Sequence, residues 1–275
     1  MEDKHNKGKG ASFLFSKKNK SKTVIEVKRA VFGKGFEIIA GPCVIESKEQ
    51  LIQTAEFLKA KGIKAMRGGA FKPRTSPYSF QGLGKEALEW FKEIGDKYEI
   101  ATVCEVMDPR KVELCSKFID VLQVGTRNAQ NFDLLKEVGK VRNPVLLKRG
   151  FGNTIKEWLS AAEYIMKEGN ENVILCERGI RTFEDSTRFT LDISAVPVVR
   201  QLSHLPIIVD PSHAAGKRDF VIPLARAGYA VGADGLMVEI HPSPDKALSD
   251  SHQQLSFEEF DNLLNELKDL GYNGL

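Results

Sequence analysis

The sequence predicts a (β/α)8 barrel, and three observations carry that reading. Eight short apolar runs, each followed by an amphipathic stretch, recur along residues 36–275. Their starts lie 20 to 36 residues apart, the length of one βα unit. Polar and charged residues cluster directly after nearly every run, where the strand ends of such a barrel build one site.

Ahead of the first run, segments 23–27 and 30–32 predict a small hairpin closing the bottom of the barrel. The runs themselves are 37–43, 65–70, 101–106, 121–125, 145–150, 173–179, 207–212 and 235–241. They are apolar almost throughout, as parallel strands covered on both faces must be. The first helix opens on Ser47 with Gln50, a capping box in which two side chains satisfy free backbone N–H groups. Leu51, Ala55 and Leu58 then recur at helical spacing, and Gly62 stands where a C-terminal glycine belongs. Asp108 before Pro109 places a cap ahead of a proline at the first helical position. Thr154 with Glu157 and Ser256 with Glu259 give two more capping boxes. An open doubly wound sheet is the competing fold; it is disfavoured by the lack of a first-turn GxGxxG and by polar residues after nearly every strand.

The chain of 275 residues is 42% hydrophobic and 28% charged, ordinary for an enzyme with a sizeable core. No apolar run approaches the roughly 20 residues that span a bilayer, and no export signal is visible. A cytoplasmic protein without a membrane partner is expected. Cys43, Cys104, Cys115 and Cys176 show no CxxC pairing, so they read as buried thiols or single ligands. Residues 1–22 hold seven lysines against Glu2 and Asp3, leaving 33 basic and 35 acidic side chains elsewhere. The basic balance therefore belongs to a tail, expected to be mostly disordered, and not to a nucleic-acid-binding face.

Residues at the C-terminal ends of the strands divide by chemistry into two sets. Arg67, Lys72, Arg74, Arg127, Lys148 and Arg178 form a cationic set. Guanidinium groups grip phosphate and carboxylate with paired hydrogen bonds, while lysine acts as a mobile charge. A single such residue reads as a solvated surface charge; six recurring at strand ends imply a multiply anionic cargo. Cys43, His213, Glu239 and Asp250 form the second set, a mixed soft and hard donor group suited to a divalent transition metal. Their spacing is no metal motif, and only the barrel brings them together.

The segments Gly41-Pro42-Cys43-Val44-Ile45-Glu46-Ser47, Arg67-Gly68-Gly69-Ala70-Phe71-Lys72-Pro73-Arg74-Thr75-Ser76, Gly125-Thr126-Arg127-Asn128, Cys176-Glu177-Arg178-Gly179 and Asp210-Pro211-Ser212-His213-Ala214 resemble 3-deoxy-D-arabino-heptulosonate 7-phosphate (DAHP) synthases of the type I β group. The match runs from about residue 24 to the C-terminus, with its motifs in the family's order. The resemblance implies condensation of phosphoenolpyruvate with erythrose 4-phosphate. It assigns Cys43, His213, Glu239 and Asp250 to one divalent metal (Mn, Fe, Co or Zn). Arg67, Lys72 and Lys148 would surround the phosphoenolpyruvate carboxylate and reacting carbons, and Arg127 and Arg178 its phosphate. Lys72-Pro73-Arg74-Thr75 would receive erythrose 4-phosphate, with Arg74 at its phosphate. Lys72 would deliver a proton to the developing alkoxide, and Glu105 would position the attacking water.

Three rivals compete with this reading. KDO 8-phosphate synthase shares the Gly-Pro-Cys-Val-Ile-Glu-Ser opening, but has an Ala-Asn-Arg-Ser-like turn where this chain has Lys72-Pro73-Arg74-Thr75. A Schiff-base aldolase using Lys148 would need a desolvated lysine of lowered pKa and would leave the metal-ligand set unexplained. A binding module using the lysine tail on nucleic acid conflicts with the near-neutral body. The stretch before Phe36 is too short to bury a core of its own. A barrel-only form is therefore expected, with little response to aromatic end products, assembled as a homo-oligomer (dimer or tetramer).

Overall fold

The computed structural model describes residues 12–72, 78 and 80–274. Strands β1 (Ile25–Val27) and β2 (Ala30–Phe32) pair antiparallel, with Ile25 opposite Phe32 and Val27 opposite Ala30. Eight parallel strands then close a barrel: β3 (Glu37–Gly41), β4 (Ala65–Arg67), β5 (Ala101–Glu105), β6 (Val121–Val124), β7 (Val145–Lys148), β8 (Val173–Glu177), β9 (Ile207–Val209) and β10 (Gly235–Glu239). They neighbour one another in chain order, and β10 returns to pair with β3. Each strand begins where its apolar run begins. Each ends one to three residues short of the run's end, and the remainder becomes the loop that carries chemistry.

Around the barrel lie α1 (Lys48–Ala60), α2 (Lys85–Tyr98), α3 (Val112–Phe118), α4 (Phe132–Gly139), α5 (Ile155–Lys167), α6 (Ala195–Leu202), α7 (Pro211–Ala215), α8 (Val221–Ala230) and α9 (Phe257–Asp269). Eight of these cover the sheet; α7 is an added turn in the loop after β9. The boxes at Thr154 and Ser256 are complete and reciprocal. The Ser47 box is not: Ser47 Oγ accepts from Gln50 N, but the Gln50 side chain accepts from Glu46 N, one residue early. Asp108 caps a 3-10 turn over Pro109–Lys111 that leads into α3.

Period-two alternation sorts every strand. Ile39, Ala65, Val103, Val121, Leu146, Ile174, Ile208 and Met237 point inward and share one apolar cluster with Ile25, Val27, Ala30 and Phe32 of the hairpin. The intervening residues, such as Ile38, Met66, Leu122, Leu147, Leu175 and Val238, face the helices. The hairpin thus seals the floor of the barrel interior. Phe32 is fully buried there, so Phe32→Ala is expected to cost about 3–5 kcal/mol in a denaturation experiment.

The expectation of a disordered tail is corrected for its described part. Leu14 N and Phe15 N donate to the Glu163 carboxylate on α5, and Lys17 N donates to Leu202 O. Ser16 bridges Ser203, and Lys22 Nζ lies 2.8 Å from Asp234. Residues 12–22 are therefore docked by backbone hydrogen bonds to elements far away in sequence.

Candidate active site and metal centre

The inward register that fills the barrel with apolar side chains also delivers the polar ones. Two positions beyond Ala65, Val103, Leu146, Ile208 and Met237 come Arg67, Glu105, Lys148, Asp210 and Glu239. Cys43 follows Ile39 by four, and Arg178 follows Ile174 by four. All seven therefore leave the strands on the same side of the backbone and meet above the apolar floor. Arg127 joins them from the 3-10 turn Thr126–Asn128 after β6, and Lys72 from the loop after β4.

A cavity of about 320 Å³ collects Arg67, Lys72, Arg127, Lys148 and Arg178, with Cys43, Glu105, His213 and Asp250. Arg74 and Thr75 lie outside the described residues. The cations are built in. Arg67 Nη1 donates to Glu239 Oε1 at 2.6 Å and to Pro42 O at 2.8 Å. Arg178 lies against Phe189 and Phe151, its guanidinium 4.1 and 5.2 Å from the ring centroids. Burial lowers the Arg178 pKa to about 10, which still leaves it charged at neutral pH. The buried Nε atoms of Arg67 and Arg178 have no partner among the described residues. Buried donors without partners are rare, and two beside one cavity suit a ligand with several oxygen acceptors.

The donor set fits a divalent metal. Ligand atoms of Cys43, Glu239 and Asp250 lie within 4.8 Å of one another. His213 Nε2 stands 3.4 Å from Glu239 Oε1. Its other nitrogen, Nδ1, is 2.7 Å from Asp210 Oδ2, the carboxylate contact that characteristically orients a ligating histidine. Burial lowers the His213 pKa to about 4, which favours the neutral imidazole that a metal ligand must be. Burial, and next the charge of Glu239, pushes the Cys43 thiol up to about 12. Its proton must leave when a cation takes the sulfur. Lys72 Nζ already brings positive charge to this cluster, at 2.6 Å from Cys43 Sγ and 3.0 Å from Asp250 Oδ2. Asp250 adopts a left-handed backbone, φ 48°, uncommon outside glycine and tolerated best by Asn and Asp.

Adjacent basic residues at the end of β7 part company. Lys148 points inward, its Nζ 2.5 Å from the fully buried Asp210 carboxylate. Arg149 turns outward to Glu177 at 2.9 Å and Asp192 at 2.7 Å and takes no part in the cavity. An ammonium engaged by a carboxylate offers no lone pair to a carbonyl. Borohydride reduction with either substrate is therefore expected to leave the protein mass unchanged; a reduced adduct on Lys148 would instead require the Schiff-base route.

Sequence reasoning missed Asp210, Gln253 and Arg188. Asp210 sits two residues beyond Ile208 and three before His213, so strand register alone was enough to find it. Gln253 and Arg188 give no such signal, because both lie on loops. The motif glycine Gly125 acquires a reason: a Cβ there would lie 1.9 Å from Glu105 Oε1. The close approach seats the Glu105 carboxyl against the β6 loop, where burial raises its pKa despite four neighbouring cations.

Comparison with known proteins agrees with this geometry. A phospho-2-dehydro-3-deoxyheptonate aldolase of Thermotoga maritima is 57% identical over 249 residues, covering 90% of this chain and 74% of that protein. A crystal structure of a T. maritima enzyme of that name, also titled DAHP synthase, superposes with a TM-score of 0.91 at 55% identity, covering 94% of this chain and 76% of the other. A 2-dehydro-3-deoxyphosphooctonate aldolase of Desulfosudis oleivorans is more distant, 29% identical over 253 residues, with 86% and 90% of the two chains covered. The model of the DAHP synthetase I family matches residues 19–273, and with a closed barrel, a strand-end cation cluster and a relative at 57% identity, the chain belongs to that family.

Proposed function

We propose that this chain is a transferase that condenses phosphoenolpyruvate, D-erythrose 4-phosphate and water to DAHP and inorganic phosphate, the first step of the shikimate pathway to chorismate and aromatic amino acids. The observation that carries the reading is the convergence of five cations in one cavity with Cys43 and Asp250, whose ligand atoms lie within 4.8 Å of each other and of the buried Glu239 carboxylate. A seven-carbon product less the three carbons of phosphoenolpyruvate leaves a four-carbon aldose. An eight-carbon product would need five. The relative at 57% identity carries the seven-carbon name, and the relative at 29% the eight-carbon one.

Arg127 and Arg178 hold the phosphate of phosphoenolpyruvate, and Arg67 and Lys148 hold its carboxylate and the reacting carbons; the unpartnered Nε atoms of Arg67 and Arg178 support this. C3 of the enol phosphate attacks the aldehyde carbon, and C2 becomes electron-poor. Water, steered by the Glu105 carboxyl, adds to C2; of its two protons one leaves with the phosphate and the other replaces the one that Lys72 gives up. The resulting hemiketal phosphate collapses with C–O cleavage and releases phosphate. Lys72 donates the proton that the new alkoxide takes up. Cys43, His213, Glu239 and Asp250 would hold one divalent ion (Mn, Fe, Co or Zn), which when bound supplies Lewis acidity at the aldehyde oxygen.

A phosphate-release assay with phosphoenolpyruvate and either erythrose 4-phosphate or arabinose 5-phosphate, with and without chelator, tests the assignment. Turnover is expected with the four-carbon sugar and only without chelator. Faster turnover with arabinose 5-phosphate would place the chain with the sister activity. Arg74→Ala is expected chiefly to raise KM for erythrose 4-phosphate, since it removes binding shared by ground and transition states. A fall in kcat at unchanged KM would remove Arg74 from the acceptor phosphate.

No helix among the described residues is long and apolar enough to cross a membrane. The substrates are cytoplasmic metabolites, which supports a cytoplasmic location.

A further inference from the structure

Gln253 lies on the loop between β10 and α9 and is nearly inaccessible, 2% exposed. Its Nε2 donates to Glu239 Oε2 at 2.6 Å, and its Oε1 accepts from Arg188 Nη1 at 3.0 Å. These two partners fix the amide without ambiguity. A carboxylate only accepts and a guanidinium only donates, so the NH2 must face Glu239 and the carbonyl must face Arg188. Arg188 is anchored in turn. Its backbone N donates to Ala215 O at the end of α7, the turn that carries His213, and its Nη1 lies 3.6 Å from Asp250 Oδ1.

Glu239 thereby has its two oxygens assigned to different tasks. Oε2 is occupied by Gln253, while Oε1 takes Arg67 and faces His213 Nε2. We propose that Gln253 is a positioning residue for the metal centre, and that Arg188 orients it, so that the relay Arg188–Gln253–Glu239 presents Glu239 Oε1 to the ion. This rests on the reading of Glu239 as a metal ligand. The relay joins the loops after β8 and β10, and Arg188 also lines the substrate cavity. Partners that orient a ligating carboxylate typically change metal affinity 10–100-fold when removed.

The test uses full-length protein stripped with chelator and titrated with Co²⁺, read by calorimetry and by the visible absorption of the thiolate–cobalt complex. Gln253→Leu is expected to raise the Co²⁺ Kd on the order of 10–100-fold and to shift the visible bands as Glu239 changes its mode of coordination. Arg188→Met should shift both in the same direction by less. The double variant should bind no worse than Gln253→Leu alone, because the two side chains act in series. Arg188 is partly exposed, so its variant carries the test even if Gln253→Leu fails to fold. Wild-type Kd and bands in Gln253→Leu or in Arg188→Met, or additive losses in the double variant, would overturn the relay. Glu239→Gln separates the two levels. If it too binds Co²⁺ like wild type, the metal reading itself is wrong; if it loses binding while the relay variants keep it, only the relay is wrong.

Discussion

Cys43→Ser is expected to weaken metal binding by ~100-fold or more, because losing a direct ligand exceeds the 10–100-fold typical of losing an orienting partner. The serine hydroxyl does not ionise in the accessible pH range and is a poor donor to a transition metal. Activity should fall with occupancy and recover in part when excess Mn²⁺ or Co²⁺ is added. His213→Ala should behave alike. Both side chains stand above the apolar floor, so cooperative unfolding of the barrel should survive either change. Equilibrium dialysis of metal alongside phosphate release decides the matter. Full activity in a sample shown to be free of metal would sink the assignment of all four ligands.

The second large effect is expected at Lys72. Its ammonium is the cation nearest to both Cys43 and Asp250, and it enters from the loop that continues into the acceptor tetrad. Burial opposes its charge, but its interactions with Cys43, Glu239 and Asp250 prevail and hold its pKa above the ordinary lysine value. The group is therefore an acid with its proton in place throughout the neutral range. Lys72→Met removes that proton source while keeping an aliphatic stem of similar length. Turnover should drop on the order of 10²–10⁴-fold, the usual worth of one positioned acid. KM for phosphoenolpyruvate should change far less, since Arg127 and Arg178 remain. A variant that turns over at the wild-type rate with a raised KM would make Lys72 a binding group only.

The starts of the strands were legible because apolar runs begin abruptly. Their ends were not, because the small residues that follow, such as Gly68-Gly69-Ala70 after β4, resemble strand interior while serving as loop. The strand-end cations and the Cys, His, Glu and Asp donors could be picked out as residue types after strands, and Lys148 was chosen there over Arg149, but the reason, an inward against an outward direction, comes only with the barrel. The described part of the tail, residues 12–22, was misread because its anchors are not periodic. Phe13 and Phe15 stack on each other, and the polar partners of the segment, Glu163, Ser203 and His204, lie about 150 to 190 positions away. Gln253 was invisible for a different reason. A glutamine on a loop signals nothing until its two neighbours, Glu239 and Arg188, are known.

The hairpin at the barrel floor closes the chamber from below with apolar side chains. A leak of water or buffer ions from beneath is blocked by Phe32 and its neighbours, so the charged groups above them are screened only by what comes in at the top.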